Sequence, residues 1–150
     1  MVRPEVVVRA VGPDERAAWE PLWDGYLKFY KATLPKENWD ITWKRLQDPA
    51  EPMHLLGAYV DGKLTGIVHY LFHRSTWIPD DYCYLQDLFV ADTARGLGLG
   101  RALIEAVYAK AKEAGSTRIY WLTHETNAQA RILYDQVAEN AGFIQYRKAL

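Results

Sequence analysis

"YCYLQDLFV" (Tyr82–Val90) runs directly into "ADTARGLGLGRALIEAV" (Ala91–Val107), and the reading of this junction decides the fold. The first half reads as a strand and the second as the start of a helix. Leu99, Ala102, Leu103, Ala106 and Val107 form one apolar stripe, Arg101, Glu105, Tyr108 and Lys112 fall opposite, and Gly115 marks the stop. Between strand and helix stands Arg95-x-x-Gly98-x-Gly100. Glycines at alternate positions let backbone N–H groups approach an anion closely, and a helix N-terminus adds partial positive charge, so a diphosphate fits physically. Arg95 and Arg101 can pair with further phosphate oxygens. Two common phosphate motifs fail here. No lysine follows as GxxxxGK[ST] demands, and the third glycine of GxGxxG falls on Arg101 or Leu103. Taken alone, the segment serves equally well as a glycine-rich turn that merely enters a helix.

Working outward, Val6 to Ala10 reads as a buried strand. "GPDERAAWEPLWDGYLKFYKATLP" then places Trp19, Trp23, Tyr26 and Tyr30 at helical spacing, with Asp14 as N-cap, Pro21 interrupting and Pro35 ending the pattern. A short helix over Glu37 to Gln47 follows. "MHLLGAYVDGKLTGIVHYLFH" is a hairpin turning at Asp61-Gly62. Beyond the glycine-rich helix, "RIYWLT" predicts a strand. A last helix carries Ala130, Leu133, Tyr134, Val137 and Ala138, begins at Thr126 or Asn127 and ends at Gly142, before a terminal strand near Phe143 to Lys148. The order β-α-α-β-β-β-α-β-α-β predicts one α/β (α+β) domain spanning residues 1–150. Its expected core is a mixed, mostly antiparallel sheet of six or seven strands with about four helices on both faces.

Composition narrows the function classes. The 150 residues carry 18 basic and 19 acidic groups for a net charge of -1, which offers no reason to expect nucleic acid or a membrane surface as partner. The N-terminus lacks signal-peptide features and no apolar run reaches spanning length, so a cytoplasmic location is expected. Cys83 is the only cysteine and the four histidines match no ligand spacing, so no metal is expected.

"LQDLFVADTARGLGLGRALIEAV" followed by "YWLTHETNAQARILYDQVAENAGF" resembles the GCN5-related N-acetyltransferase (GNAT) superfamily, whose acetyl-CoA signature Q/R-x-x-G-x-G/A is filled by Arg95, Gly98 and Gly100. The resemblance implies that the backbone of Leu88, Phe89 and Val90 hydrogen-bonds the pantetheine arm of acetyl-CoA. It places the pyrophosphate on the N–H groups of Gly96, Leu97, Gly98, Leu99, Gly100 and Arg101. It also implies that Asn127 contacts the co-substrate and that Tyr134 protonates the departing thiolate. These two lie seven residues apart, two helical turns, so they share a face. Each has a plain alternative: Asn127 as a helix cap, Tyr134 as a core aromatic.

The general base is open at this level. Strict alternation puts Asp87 on a strand face with Cys83, Leu85 and Phe89, and Gln86 on the other with Tyr82 and Tyr84. Polyamine-type relatives carry Glu-Asp where this chain has Gln86-Asp87, which leaves Asp87 leading, with Glu125, His124 or a water chain as competitors. Cys83 as a nucleophile lacks a neighbouring activating histidine. Trp23, Tyr26, Phe29, Tyr30, Trp39 and Trp43 read as core or as an aromatic slot for a cationic amine, with Asp24 or Asp40 at its rim. The expected acceptor site comprises Tyr26, Tyr30, Gln86, Asp87 and Glu125, and the acceptor is a primary amine such as a polyamine or amino acid. A protein lysine or N-terminus, or a non-catalytic acyl-CoA sensor, are the alternatives. A homodimer is expected, again by resemblance.

Overall fold

The computed structural model describes residues 2–150. Strands β1 (Val6–Ala10), β2 (Met53–Val60), β3 (Lys63–His73), β4 (Tyr82–Val90) and β5 (Ile119–Tyr120) form one sheet in the order β1-β2-β3-β4-β5. The first three pairings are antiparallel and the last is parallel. The Asp61-Gly62 turn takes φ of 48° and 82°, the two left-handed residues that a tight hairpin needs, and so sets the β2–β3 register. The Asp61 carboxylate also accepts the Glu5 N–H at 2.9 Å, tying the approach to β1 to that turn.

Helices α1 (Arg16–Phe29) and α2 (Lys36–Gln47) cover one face, packing Trp19, Leu22, Trp23, Leu27, Trp43 and Leu46 on Leu55, Tyr59, Leu64 and Ile67. On the other face lie α3 (Leu99–Glu113) and α4 (Ala128–Val137), with Leu99, Leu103, Ile104, Val107 and Ala111 against Leu56, Val68, Cys83 and Leu85. Pro21 does not interrupt α1 as its residue type suggested. The buried stripe of Trp19, Leu22 and Trp23 outweighs the one hydrogen bond that proline removes. Nor does Asp14 cap: the Glu15 carboxylate reaches back to the Gly12 N–H at 2.7 Å.

Three strands differ from expectation, the first being β1, read as buried but lying at the sheet edge with four of its five residues exposed. The sheet has five strands rather than six or seven. "RIYWLT" is paired only at Ile119 and Tyr120, because β5 parts from β4 after Tyr84↔Tyr120. The terminal strand expected near Phe143 to Lys148 joins no sheet: α4 ends at Val137, short of Gly142, and the chain beyond runs out with Phe143 and Tyr146 about nine-tenths exposed. A strand exists only by pairing, and this segment runs exposed without meeting an edge of the sheet.

At Gln86 β4 carries an extra residue: His69 faces Asp87, yet the next residue, Tyr70, faces Leu85. Such a bulge slips the alternation by one. Cys83 and Leu85 therefore pack on the α3 side, while Asp87 and Phe89 turn to the α1 side. The expectation that all four share a face is corrected, and it is this slip that turns Asp87 toward His69.

Candidate active site

The glycine-rich segment folds as a short turn (Asp92–Ala94) followed by a loop with Gly96 at φ +83° and Gly98 at φ +72°. Gly98 is the N-cap of α3, and the first hydrogen bond of the helix runs from the Ala102 N–H to the Gly98 carbonyl. The amides of Leu99, Gly100 and Arg101 are thus free to point ahead of the helix, with its positive dipole end behind them. A Cβ at Gly96 or Gly98 would meet nothing within 4 Å, so the glycines serve backbone conformation and leave the space in front open. Gly100 has a different reason: a Cβ there would come within 3.3 Å of Leu133, so its bareness seats α4 on α3. Arg95 pairs with Asp92 at 3.0 Å on the surface, and Arg101 hydrogen-bonds Gln136 on α4.

Beyond Tyr84 the β5 side of β4 has no strand partner, so Leu85 to Val90 presents an open backbone edge along a wedge between β4 and the segment leading to α4. A pantetheine arm with its two amides fits such an edge, and a diphosphate fits the amides at the head of α3. The Asn127 side chain caps α4, accepting the Ala130 N–H and donating to the Thr123 hydroxyl, both at 3.4 Å. Tyr134 is half-buried with its ring edge-on to Trp121 at 5.4 Å. Burial pushes its pKa up, and the neighbouring Tyr30 pushes in the same direction, so the phenol holds its proton.

Asp87 lies at the other wall. Its Oδ2 receives a hydrogen bond from His69 Nδ1 at 3.0 Å, and His69 Nε2 accepts the Trp19 indole N–H at 3.0 Å. Tyr26, Tyr30 and Tyr84 feel the Asp87 charge; burial raises the pKa of each and that charge adds to it. The aromatic stripe of α1 is therefore two things at once. Trp19 and Trp23 are core, while Tyr26, stacked on Trp23 at 5.3 Å, and Tyr30, tilted against Tyr26 at 4.9 Å, emerge as a wall of the candidate site. The stripe ends against His124 at 5.8 Å, where Phe29, Tyr30, Lys31, His124, Thr126 and Asn127 line a cavity of about 350 Å³. A larger groove of about 690 Å³ lies beside β1 and α2, and neither cavity is lined by Asp87 or Tyr134.

Not every expected residue converges. Gln86 is the exposed extra residue of the bulge. Glu125 is exposed, and only its carbonyl is engaged, by Arg131 at 2.7 Å. Asp24 and Asp40 are ion-paired on the helices, with Lys28 at 2.7 Å and Arg16 at 2.5 Å, so neither serves as a free rim charge. Cys83 is fully buried and burial raises its thiol to about 12, which ends its case as a nucleophile. His69, Trp19 and Tyr84 are the residues that sequence reasoning missed at the site. Their only signal was an ionisable residue within an otherwise apolar strand, "IVHYLF".

The comparisons agree with this geometry. The profile of the Acetyltransferase (GNAT) family matches residues 19–138. A D-amino-acid N-acetyltransferase of Saccharomyces cerevisiae is 37% identical over 152 residues, covering 99% of this chain and 93% of the relative. A thialysine N-epsilon-acetyltransferase of Caenorhabditis elegans is 28% identical over 85 residues, 57% of this chain and 52% of its own length. Among solved structures, an aminoglycoside N-acetyltransferase in complex with CoA superposes with a TM-score of 0.81 at 17% identity, covering 99% of this chain and 98% of the other. A strand-loop-helix cradle, a parted β4–β5 pair and a profile match over most of the chain converge on one assignment: this chain belongs to the GNAT acetyltransferase family and is an acyltransferase.

Proposed function

We propose that the chain transfers an acetyl group from acetyl-CoA directly to the primary amine of a small cationic molecule, an amino acid or a polyamine. The observation that carries this reading is the Asp87 carboxylate, held by His69 among Tyr26, Tyr30 and Tyr84. A carboxylate attracts an ammonium by charge, and tyrosine rings close to it offer cation–π contact. The acetyltransferases of similar sequence, which act on D-amino acids, thialysine and L-ornithine by their names, support an amine of this class.

Acetyl-CoA brings the thioester. Leu88, Phe89 and Val90 would hold its arm on the open β4 edge, and Gly96 to Arg101 its diphosphate. Asp87 takes a proton from the bound ammonium, freeing the nitrogen lone pair to form the new C–N bond. As the C–S bond breaks, Tyr134 gives its phenolic proton to the sulfur, and the resulting tyrosinate takes up the second proton that the acylated nitrogen sheds. Burial, and then Tyr30, raise the Tyr134 pKa, in keeping with Tyr134 acting as the acid. Free thiol released across a panel of polyamines, D- and L-amino acids and lysine peptides tests this reading. Turnover on free amines is expected; turnover confined to peptides, or none with tight acetyl-CoA binding, would overturn it.

A homodimer belongs to the same reading. The segment from Gly142 to Leu150 is fully exposed and includes Phe143, Ile144 and Tyr146, while β5 leaves an outer edge beside the half-exposed Leu122. An apolar extended arm and an unpaired strand edge on one chain suit pairing across a two-fold axis.

A further inference from the structure

We propose that Trp19 and His69 act as a positioning pair for Asp87: the indole N–H selects the His69 tautomer protonated at Nδ1, and that N–H holds the carboxylate in its working orientation. The inference rests on Asp87 as the base and goes beyond it to what aims it.

The indole nitrogen of tryptophan can only donate. At 3.0 Å from His69 Nε2 it makes that nitrogen the acceptor, and the proton of the neutral ring must then sit on Nδ1, which lies 3.0 Å from Asp87 Oδ2. The Trp19–His69 bond is buried and the His69–Asp87 bond is partly buried. Trp19 has no exposed surface and His69 is 4% exposed, so water does not compete for either nitrogen. The Trp23 ring stands edge-on to the imidazole at 5.0 Å, and turning the ring over would place carbon atoms where both nitrogens now bond. The backbone sets the same arrangement, since His69 lies directly across from Asp87 at the bulge. With both nitrogens of His69 committed, the ring orients rather than transfers protons. Asp87 Oδ1 is left to face the amine.

The direct test is a long-range 1H–15N correlation spectrum of the full chain, with the His69 signals assigned by their loss in His69→Asn. Protonated Nδ1 and bare Nε2 are expected, and protonation at Nε2 would overturn the proposal. Trp19→Phe keeps an aromatic ring and removes the N–H. It should abolish the tautomer preference and lower kcat about tenfold, the usual scale for losing an orienting partner, with the KM for acetyl-CoA unchanged. His69→Asn places an amide N–H near the Nδ1 position, so it should retain more kcat than His69→Leu when both fold; equal losses would reject orientation through Nδ1. If Trp19→Phe does not fold, the parent tautomer and the Asn/Leu pair still decide. Asp87→Asn separates the two readings: full activity there removes Asp87 as base, whereas the His69 spectrum tests the tautomer independently.

Discussion

Tyr134 and Asp87 are the acid and the base of the proposed mechanism. Burial raises the Tyr134 pKa, so in the proposed mechanism the phenol keeps its proton until sulfur bears developing charge. Tyr134→Phe should therefore lower kcat by about 10²-fold, the lower end for a general acid, with acetyl-CoA affinity nearly unchanged. Stopped-flow turnover beside isothermal titration checks both numbers, and an unaltered kcat would remove Tyr134 from the mechanism. Asp87→Asn should cost about as much at neutral pH and recover as pH rises, because the free amine then populates without help. A loss that is the same at every pH would count against Asp87 as base. Asn127 shows how one side chain can read two ways: its bonds to Ala130 and Thr123 account for it fully as a cap.

Two elements carry predictions of their own. The head of α3 depends on Gly98 at φ +72°, a conformation that costs an L-residue roughly 1–2 kcal/mol. Gly98→Ala should lower the melting temperature and weaken acetyl-CoA binding while leaving kcat at saturation near that of the parent; unchanged binding would detach this loop from the co-substrate. At the other end of the sheet, Glu15 joins three elements. It accepts bonds from Arg9 on β1 at 3.1 Å, from the Gly12 N–H at 2.7 Å and from the Tyr59 hydroxyl on β2 at 2.9 Å. The Arg9 guanidinium first, then the Gly12 amide, hold its carboxyl down to about 2, against an ordinary 4.5. A carboxyl lowered on folding contributes stability that is complete above 4.5 and is lost as pH falls towards 2. Glu15→Gln should thus melt below the parent at pH 7, with the gap closing between those two values. A gap of constant size in thermal melts across that range would reject the assignment.

On the scale of the whole molecule, the terminal arm is the part that a single chain leaves unused. Removing residues 141–150 should leave the far-ultraviolet spectrum close to the parent, since the arm joins no sheet. The same truncation should convert a dimer, at twice 17.3 kDa, into a monomer in sedimentation. A parent that sediments as a monomer at micromolar concentration would reject the dimer.

What the amino-acid sequence determined by itself is what neighbouring residues decide among themselves. Asp61-Gly62 must turn, because few other pairs accept two positive φ values in succession. The stripe through Leu99, Leu103 and Val107 must be a buried helix face, and the glycines before it leave amides free. The cradle, the position of Tyr134 on α4 and the family were legible for that reason. Only the tertiary structure decided the side to which Asp87 points, because a bulge at Gln86 is a choice of register between strands joined by a long loop, made by packing against α1 and α3 rather than by local preference. It alone brought Trp19 and His69, fifty residues apart, into one hydrogen bond. It also left the arm unpaired, since a strand needs a partner edge and composition cannot say whether the same chain will supply one.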